Sequence, residues 1–337
     1  MKDMTYGAVM DRQNDIMRQS LGINYDDYEG EGIAFDYEAM MHDVGITIDE
    51  VVRIQRDFGV GNTPLMDMKN VTALVRKVSE PGYGARILIK DEAANPSGSF
   101  KARRAALSVW DAKRKGYKGV IAATSGNYGA AVASMAAKLG LKCIVLQECY
   151  DSELVGQPEI LEKQRKCEAF GAEVVQTTVG PELFYLALRM LEETGFYNAS
   201  LYSPSAIAGI ETLGYEIARQ CRDEYGLVPD VVLATHAGGG NLTGTARGLI
   251  KAGLVNTKVY AASVDLSGLS MASDRDFNRK SFTTGHTGFG IPFASLPDRS
   301  DVPRNAARAL RYIDRYLLVK QGEVFYTTEM LATLEGL

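Results

Sequence analysis

The sequence predicts an α/β protein built on parallel sheets, and three observations carry that expectation. Short apolar runs alternate with amphipathic segments from Gly61 to about residue 265. The apolar runs, such as Val120 to Thr124 and Val231 to Thr235, are continuous, as in strands buried on both faces of a parallel sheet. The segments between them stop at glycines such as Gly140 and Gly171, a common way to close a helix.

Taken in order, Ala85 to Lys90 reads as a strand and Ala102 to Lys115 as a helix. Val120 to Thr124 is a short buried strand, Tyr128 to Leu139 an Ala-rich helix, and Cys143 to Gln147 the next strand. Pro158 opens a helix in the favoured first-turn position. Val174 to Thr177 is a strand and Pro181 to Thr194 a helix. Ile207, Ile210, Leu213, Ile217 and Cys221 recur at helical spacing, so 206–225 is an amphipathic helix. Strands at Val231 to Thr235 and Val259 to Val264 flank a helix at 243–252. Residues 1–60 differ, being rich in Asp, Glu, Tyr and Met, as in Asn24-Tyr25-Asp26-Asp27-Tyr28-Glu29. They predict an arm with one or two short helices, packed on the body or on a partner chain.

Composition narrows the function. A chain of 337 residues that is 46% hydrophobic forms more than one core, so two lobes are expected. The formal net charge is −5, which argues against nucleic acid as a partner. No Lys/Arg-rich run suggests a membrane surface, and no apolar run reaches the roughly 18 residues of a membrane span. Four cysteines without a C-x-x-C pair, and only three histidines, argue against a metal site. The start of the chain lacks the apolar stretch of a signal peptide, so the expectation is a cytoplasmic protein with free thiols.

Ligands in parallel sheets sit beyond the carboxyl ends of the strands, and three loops there are dense in small polar residues. Asn95-Pro96-Ser97-Gly98-Ser99-Phe100-Lys101 places a lysine at a helix start, where the helix dipole and partial burial favour the neutral amine. An ordinary surface lysine at a helix start has the same local pattern. Thr124-Ser125-Gly126-Asn127-Tyr128-Gly129 joins a strand to a helix. Its free N–H groups suit a substrate carboxylate, and the Asn127 amide suits a ring oxygen. A simply capped turn reads alike. His236-Ala237-Gly238-Gly239-Gly240-Asn241-Leu242-Thr243-Gly244 lets backbone approach a ligand at a helix start and is a phosphate cradle in physical terms. It matches neither a P-loop nor G-x-G-x-x-G, and a flexible turn is the alternative reading.

Together these loops resemble the fold-type-II pyridoxal-phosphate (PLP) family, which includes tryptophan synthase β, threonine synthase, cysteine synthase and cystathionine β-synthase. Gly61-Asn62-Thr63-Pro64-Leu65 resembles the family's early G-x-T-P-L element. Ser99-Phe100-Lys101 is similar to its lysine motif, Ser125-Gly126-Asn127 to its substrate loop, and Gly238-Gly239-Gly240-Asn241 to its phosphate loop, in the family's order. The resemblance implies pyridoxal 5'-phosphate held by Lys101 as a Schiff base. It implies ring and phosphate contacts from Asn127, Gly238, Gly239, Gly240 and Asn241, and substrate contacts from Thr124, Ser125 and Gly126. It implies an arm over 1–60, a small lobe over 61–204 with the lysine and asparagine loops, and a large lobe over 205–337 with the glycine loop.

Lys90-Asp91-Glu92-Ala93-Ala94-Asn95-Pro96, Gln147-Glu148-Cys149-Tyr150-Asp151 and 281–290 resemble one branch of that family, the β subunits of amino-oxopentanoate thiolases. The resemblance implies thiolytic cleavage of 2-amino-4-oxopentanoate by coenzyme A in ornithine degradation, giving acetyl-CoA and alanine. It also implies a small α-subunit partner and a homodimer or hetero-oligomer. Two departures stand out. Ala102 follows the lysine where the family has an acidic residue. The family also continues beyond 331–337, with a Ser or Thr for the pyridine nitrogen, so a truncated large lobe is expected. Cys149 and His286 are candidates for acyl transfer and acid–base work, against a packed thiol and a structural histidine. Two other functions fit the same loops: a threonine-synthase-like β/γ-replacement or elimination enzyme, and a non-catalytic partner-binding subunit.

Overall fold

The protein was analysed as a computed structural model that describes residues 2–31, 35–124, 126–150, 154–156, 158–178, 182–200, 203–236, 239–265 and 309–337. Among the described residues four α-helices precede the first strand: α1 (Tyr6–Asp11), α2 (Gln13–Leu21), α3 (Tyr37–Val44) and α4 (Ile48–Asp57). The one or two helices expected for the arm become four because left-handed Gly22 and Gly45 stop α2 and α3. Thr47 then restarts the chain, its Oγ1 accepting the Glu50 N–H.

A short antiparallel pair follows, β1 (Leu65–Asp67) with β2 (Leu88–Lys90), bridged by α5 (Lys69–Val78). Next come α6 (Lys101–Arg114), β3 (Gly119–Thr124), α7 (Asn127–Leu139), β4 (Lys142–Tyr150), α8 (Pro158–Ala169), β5 (Glu173–Thr178), α9 (Glu182–Thr194) and β6 (Tyr197–Asn198). These strands form a parallel sheet in the order β5-β4-β3-β6, with Val120 beside Cys143 and Ile121 beside Ile144. Every residue of β3 is buried, as its unbroken apolar run predicts for a central strand.

The long helix α10 (Pro204–Tyr225) then leads to β7 (Val231–Thr235), α11 (Gly240–Lys251), β8 (Lys258–Val264), β9 (Arg315–Val319) and α12 (Gln321–Glu335). Here the parallel order is β7-β8-β9. Among the described residues β7 alternates: Val231 is 42% and Leu233 57% exposed, while Val232 and Ala234 are buried. Helices α10 and α11 cover one face, and no described residue covers these two side chains. No helix among the described residues is long and apolar enough to cross a membrane.

Two apolar cores result. The first joins Val9, Ile16, Met40 and Val51 of the arm to Leu107, Val132, Ile144 and Leu188. The second gathers Leu213, Leu242, Leu249 and Val259. Each fully buried leucine among them stabilises the fold by about 1.5–3 kcal/mol. Helix α10 belongs to both, with Ile207 and Ala208 in the first core and Ile210, Leu213 and Ile217 in the second. Its start is fixed by Ser203 as N-cap and Pro204 in the first turn, its end by left-handed Gly226.

Helices α10 and α11 meet backbone to backbone. A Cβ on Gly214 would stand 2.0 Å from the Thr245 carbonyl oxygen, and one on Gly248 1.9 Å from that of Glu211. Neither position tolerates a side chain without moving a helix. We expect Gly248→Ala to lower unfolding stability by about 1–3 kcal/mol through overpacking, read from urea denaturation. An unchanged midpoint would show that the two helices do not touch there.

Candidate active site

The lysine loop is two short 3-10 turns, Glu92–Ala94 and Pro96–Gly98, leading from β2 into α6. Ser97 has φ 68° and Gly98 φ 78°. A serine in the left-handed region costs about 1–2 kcal/mol, so the surroundings hold this turn against its own preference. Lys101 is the first residue of α6, and its Nζ lies 4.2 Å from the centroid of the Phe100 ring. Burial, reinforced by the Arg104 cation, pushes the Lys101 ammonium down to about 7. Near neutral pH a large fraction of this amine is therefore unprotonated and nucleophilic.

The asparagine loop begins where β3 ends. Thr124 is buried and its Oγ1 accepts the Gly126 N–H at 3.2 Å, so this hydroxyl shapes the turn. Asn127 is the exposed first residue of α7, and its neighbour Tyr128 is buried. The glycine loop follows β7 in the same way. Left-handed Gly239 (φ 85°) caps α11, and Gly240 and Asn241 are its first residues. Both helix starts present N–H groups that α-helical bonding leaves free. Ser125 and Gly238 lie outside the described residues, as does His286.

The structure brings the three loops together around the first turn of α6. The Pro96–Gly98 turn packs on α7, and α10 packs on both α6 and α11. Arg104 spans the remaining gap: its guanidinium carbon lies 4.7 Å from the Tyr128 ring centroid. Its Nη1 is 3.7 Å from where a Cβ on Gly240 would stand. Four buried side-chain oxygens on two of the loops, those of Ser97, Ser99, Asn241 (Oδ1) and Thr243, have no hydrogen-bond partner among the described residues.

A buried ion network fixes the start of α6. Arg103 is 0% exposed. It donates from Nε and Nη2 to Glu92 at 2.7 and 2.8 Å, and from Nη1 and Nη2 to Glu216 at 3.0 and 2.8 Å. Lys90 donates to Glu216 at 3.0 Å and to the Thr63 carbonyl at 2.6 Å. The Asn62 N–H donates to Glu216, and the Gly61 N–H to the Asn95 side chain. Burial raises the Glu216 carboxyl, but hydrogen bonds and charge from Arg103, with Lys90 behind them, hold it down at about 2.

Sequence reasoning found the loops and missed the two arginines between them. The available signal was charge among buried alanines: Arg103 and Arg104 sit between Ala102 and Ala105, and Lys101 and Arg104 are one turn apart on one face. Cys149 is 0% exposed, and burial, with Glu148 nearby, pushes its thiol up to about 11. A thiol so seldom ionised packs as a small apolar side chain, which favours the plainer of its two readings.

Two outcomes follow from these groups. In the free protein, reductive methylation of Lys101 followed by peptide mass spectrometry should rise with pH to a midpoint near 7. A midpoint above about 9, closer to an ordinary lysine, would contradict the buried setting. Replacing Arg103 with Met should cost about 3–5 kcal/mol, because two carboxylates stay buried without their cation. Glu216 adds an acid limb: its carboxylate is held below the ordinary 4.5, so its contribution is full above that value and is lost as pH falls through about 2. Urea midpoints measured down the acid range should show that loss, and Glu216→Gln should flatten it.

The sequence pattern of pyridoxal-phosphate dependent enzymes matches residues 56–337. The 2-amino-4-ketopentanoate thiolase beta subunit of Acetoanaerobium sticklandii is 67% identical over 336 residues, 100% of this chain and 71% of that protein. A threonine synthase of Halalkalibacterium halodurans is 31% identical over 192 residues, 56% of this chain and 49% of that protein. The solved structure of maize serine racemase has a TM-score of 0.64 at 21% identity, covering 86% of this chain and 82% of that one, a likeness of fold alone. The chain belongs to the family of pyridoxal-phosphate dependent enzymes.

Proposed function

We propose that this chain is the catalytic β-type subunit of a thiolase that cleaves 2-amino-4-oxopentanoate with coenzyme A, giving acetyl-CoA and alanine in ornithine degradation. The observation that carries the reading is Lys101, a partly buried amine pushed down to about 7 at the start of α6, one helical turn from Arg104, which reaches Gly240 of the glycine loop. The substrate is named by the thiolase beta subunit with which the chain shares 67% identity over its whole length. The threonine synthase likeness spans only 56% of the chain, so replacement or elimination chemistry is the weaker reading.

The donor set fits the family's cofactor. Lys101 Nζ would hold it, and the N–H groups of Gly239, Gly240 and Asn241 at the positive end of α11 would carry its phosphate. The unpartnered oxygens of Ser97, Ser99, Asn241 and Thr243 supply further polar contacts of the kind such a group needs. When bound, pyridoxal phosphate supplies the electron sink for carbanion chemistry next to the amino-bearing carbon. Asn127 would contact the ring oxygen. The start of α7, at Gly126 and Asn127, would bind the substrate carboxylate, with Thr124 holding the turn and Ser125 completing the loop. Lys101, as the amine nearest neutrality, takes the proton from the substrate Cα. In the balanced reaction the C3–C4 bond breaks, the acetyl group goes to the coenzyme A sulfur, and C3 gains the proton that makes it the methyl group of alanine.

The proposal includes a small α-subunit partner, assembly as a homodimer or hetero-oligomer, and a cytoplasmic setting that suits the free buried thiols. It also keeps the division at 60 and 204, with one parallel sheet on either side of the second boundary. Borohydride reduction of the cofactor-loaded protein should leave a stable label on Lys101; a label on another residue removes the assignment. Mixing the chain with its α partner, coenzyme A and 2-amino-4-oxopentanoate should yield acetyl-CoA. Lys101→Ala should lower that rate by about a thousandfold or more, and wild-type assemblies that make no acetyl-CoA would reject the thiolase reading.

A further inference from the structure

Arg104 is 2% exposed, one helical turn beyond Lys101. Two positive poles meet there. Its own guanidinium is one. The start of α11 is the second, carrying about half a unit charge on its free N–H groups, and Gly240, its first residue, is close enough that a Cβ there would stand 3.7 Å from Arg104 Nη1. Like poles brought together in a buried place repel one another, and an anion set between them is attracted by both. The Tyr128 ring, 4.7 Å from the guanidinium carbon, holds the arginine in place from the α7 side.

We infer that Arg104 is a second anchor for the cofactor phosphate, gripping it from α6 while the Gly239–Asn241 backbone grips it from α11. The inference rests on the glycine-loop reading given above and adds a residue to it. A guanidinium offers parallel N–H donors matched to phosphate oxygens, which neither a lysine nor a backbone cradle reproduces. The phosphate is thereby bound by a fixed charge as well as by dipoles.

The test compares two aldehydes that differ only in the phosphate. The wild-type chain, Arg104→Lys and Arg104→Met are titrated with pyridoxal 5'-phosphate and with pyridoxal at pH 8.5, where Lys101 is mostly uncharged. Binding is followed by absorbance, and the reduced adduct is located by mass spectrometry. The phosphorylated aldehyde should bind roughly 10- to 100-fold more weakly to Arg104→Met, and less weakly to Arg104→Lys. Pyridoxal affinity should stay within about twofold. Unchanged binding of the phosphorylated aldehyde, or a parallel loss of both, overturns the inference. If Arg104→Met does not fold, the phosphorus NMR shift of the bound phosphate decides between wild type and Arg104→Lys. The wild-type resonance should stay flat through the free phosphate's titration near about 6, and Arg104→Lys should restore part of that titration. A wild-type resonance that titrates normally overturns the inference. No adduct on Lys101 with either aldehyde would instead remove the lysine and glycine-loop reading beneath it, and the inference with it. That outcome is distinguishable from a normal adduct that shows no preference for phosphate.

Discussion

The guanidinium of Arg103 is the point on which the site's geometry turns. It is fully enclosed and grips Glu92 on the lysine loop and Glu216 on α10 at once. Through Glu216 the same charge reaches Lys90 of β2 and the Asn62 backbone. A buried pair of this kind adds little net stability over an apolar core, yet losing one member is costly. Its effect is therefore geometric: it sets where the first turn of α6 begins, and so where Lys101 points. Gln55 adds to the same joint by donating to the Arg103 and Gly209 carbonyls.

Around that fixed turn the site is assembled from backbone ends. Two helices, α7 and α11, start where the parallel strands β3 and β7 end and leave backbone N–H groups free there. Such groups select negative ligands without using a charged side chain, and their positions are set by the sheets behind them. Lys101 starts α6 beside them, and burial holds its ammonium down to about 7. Desolvation, with the Arg104 cation behind it, disfavours the protonated amine.

Most of the architecture is legible in the sequence because its signals are local. The continuous apolar runs at 120–124 and 231–235 are strands, and Ser203-Pro204 and Gly226 bound a helix close to its expected limits. The chemistry-bearing loops are legible for the same reason, each being a few consecutive residues. What escaped is non-local or very short. Arg103 and Glu216 are 113 residues apart, and no periodicity announces that they meet. Strand β6 is two residues long and exists only because Tyr197 and Asn198 fall beside Val120 and Ile121. The arm's apolar residues bury against α9 and α10, and its acidic composition conceals this. The exposure of Val231 and Leu233 on β7 among the described residues cannot be read from a run of apolar residues, since a strand covered on one side and a strand covered on both can be spelled alike.

Helix α10 has a consequence for how this architecture can change. Because its first half belongs to one core and its second half to the other, there is no seam at which the chain can be cut into interchangeable modules. A chimaera that took one lobe from a relative would inherit half of a helix fitted to a core left behind. It would also lose the match between Glu216 and Arg103. The lobes must therefore diverge together, and novelty in such a chain is easiest to introduce in the loops that α10 holds in register.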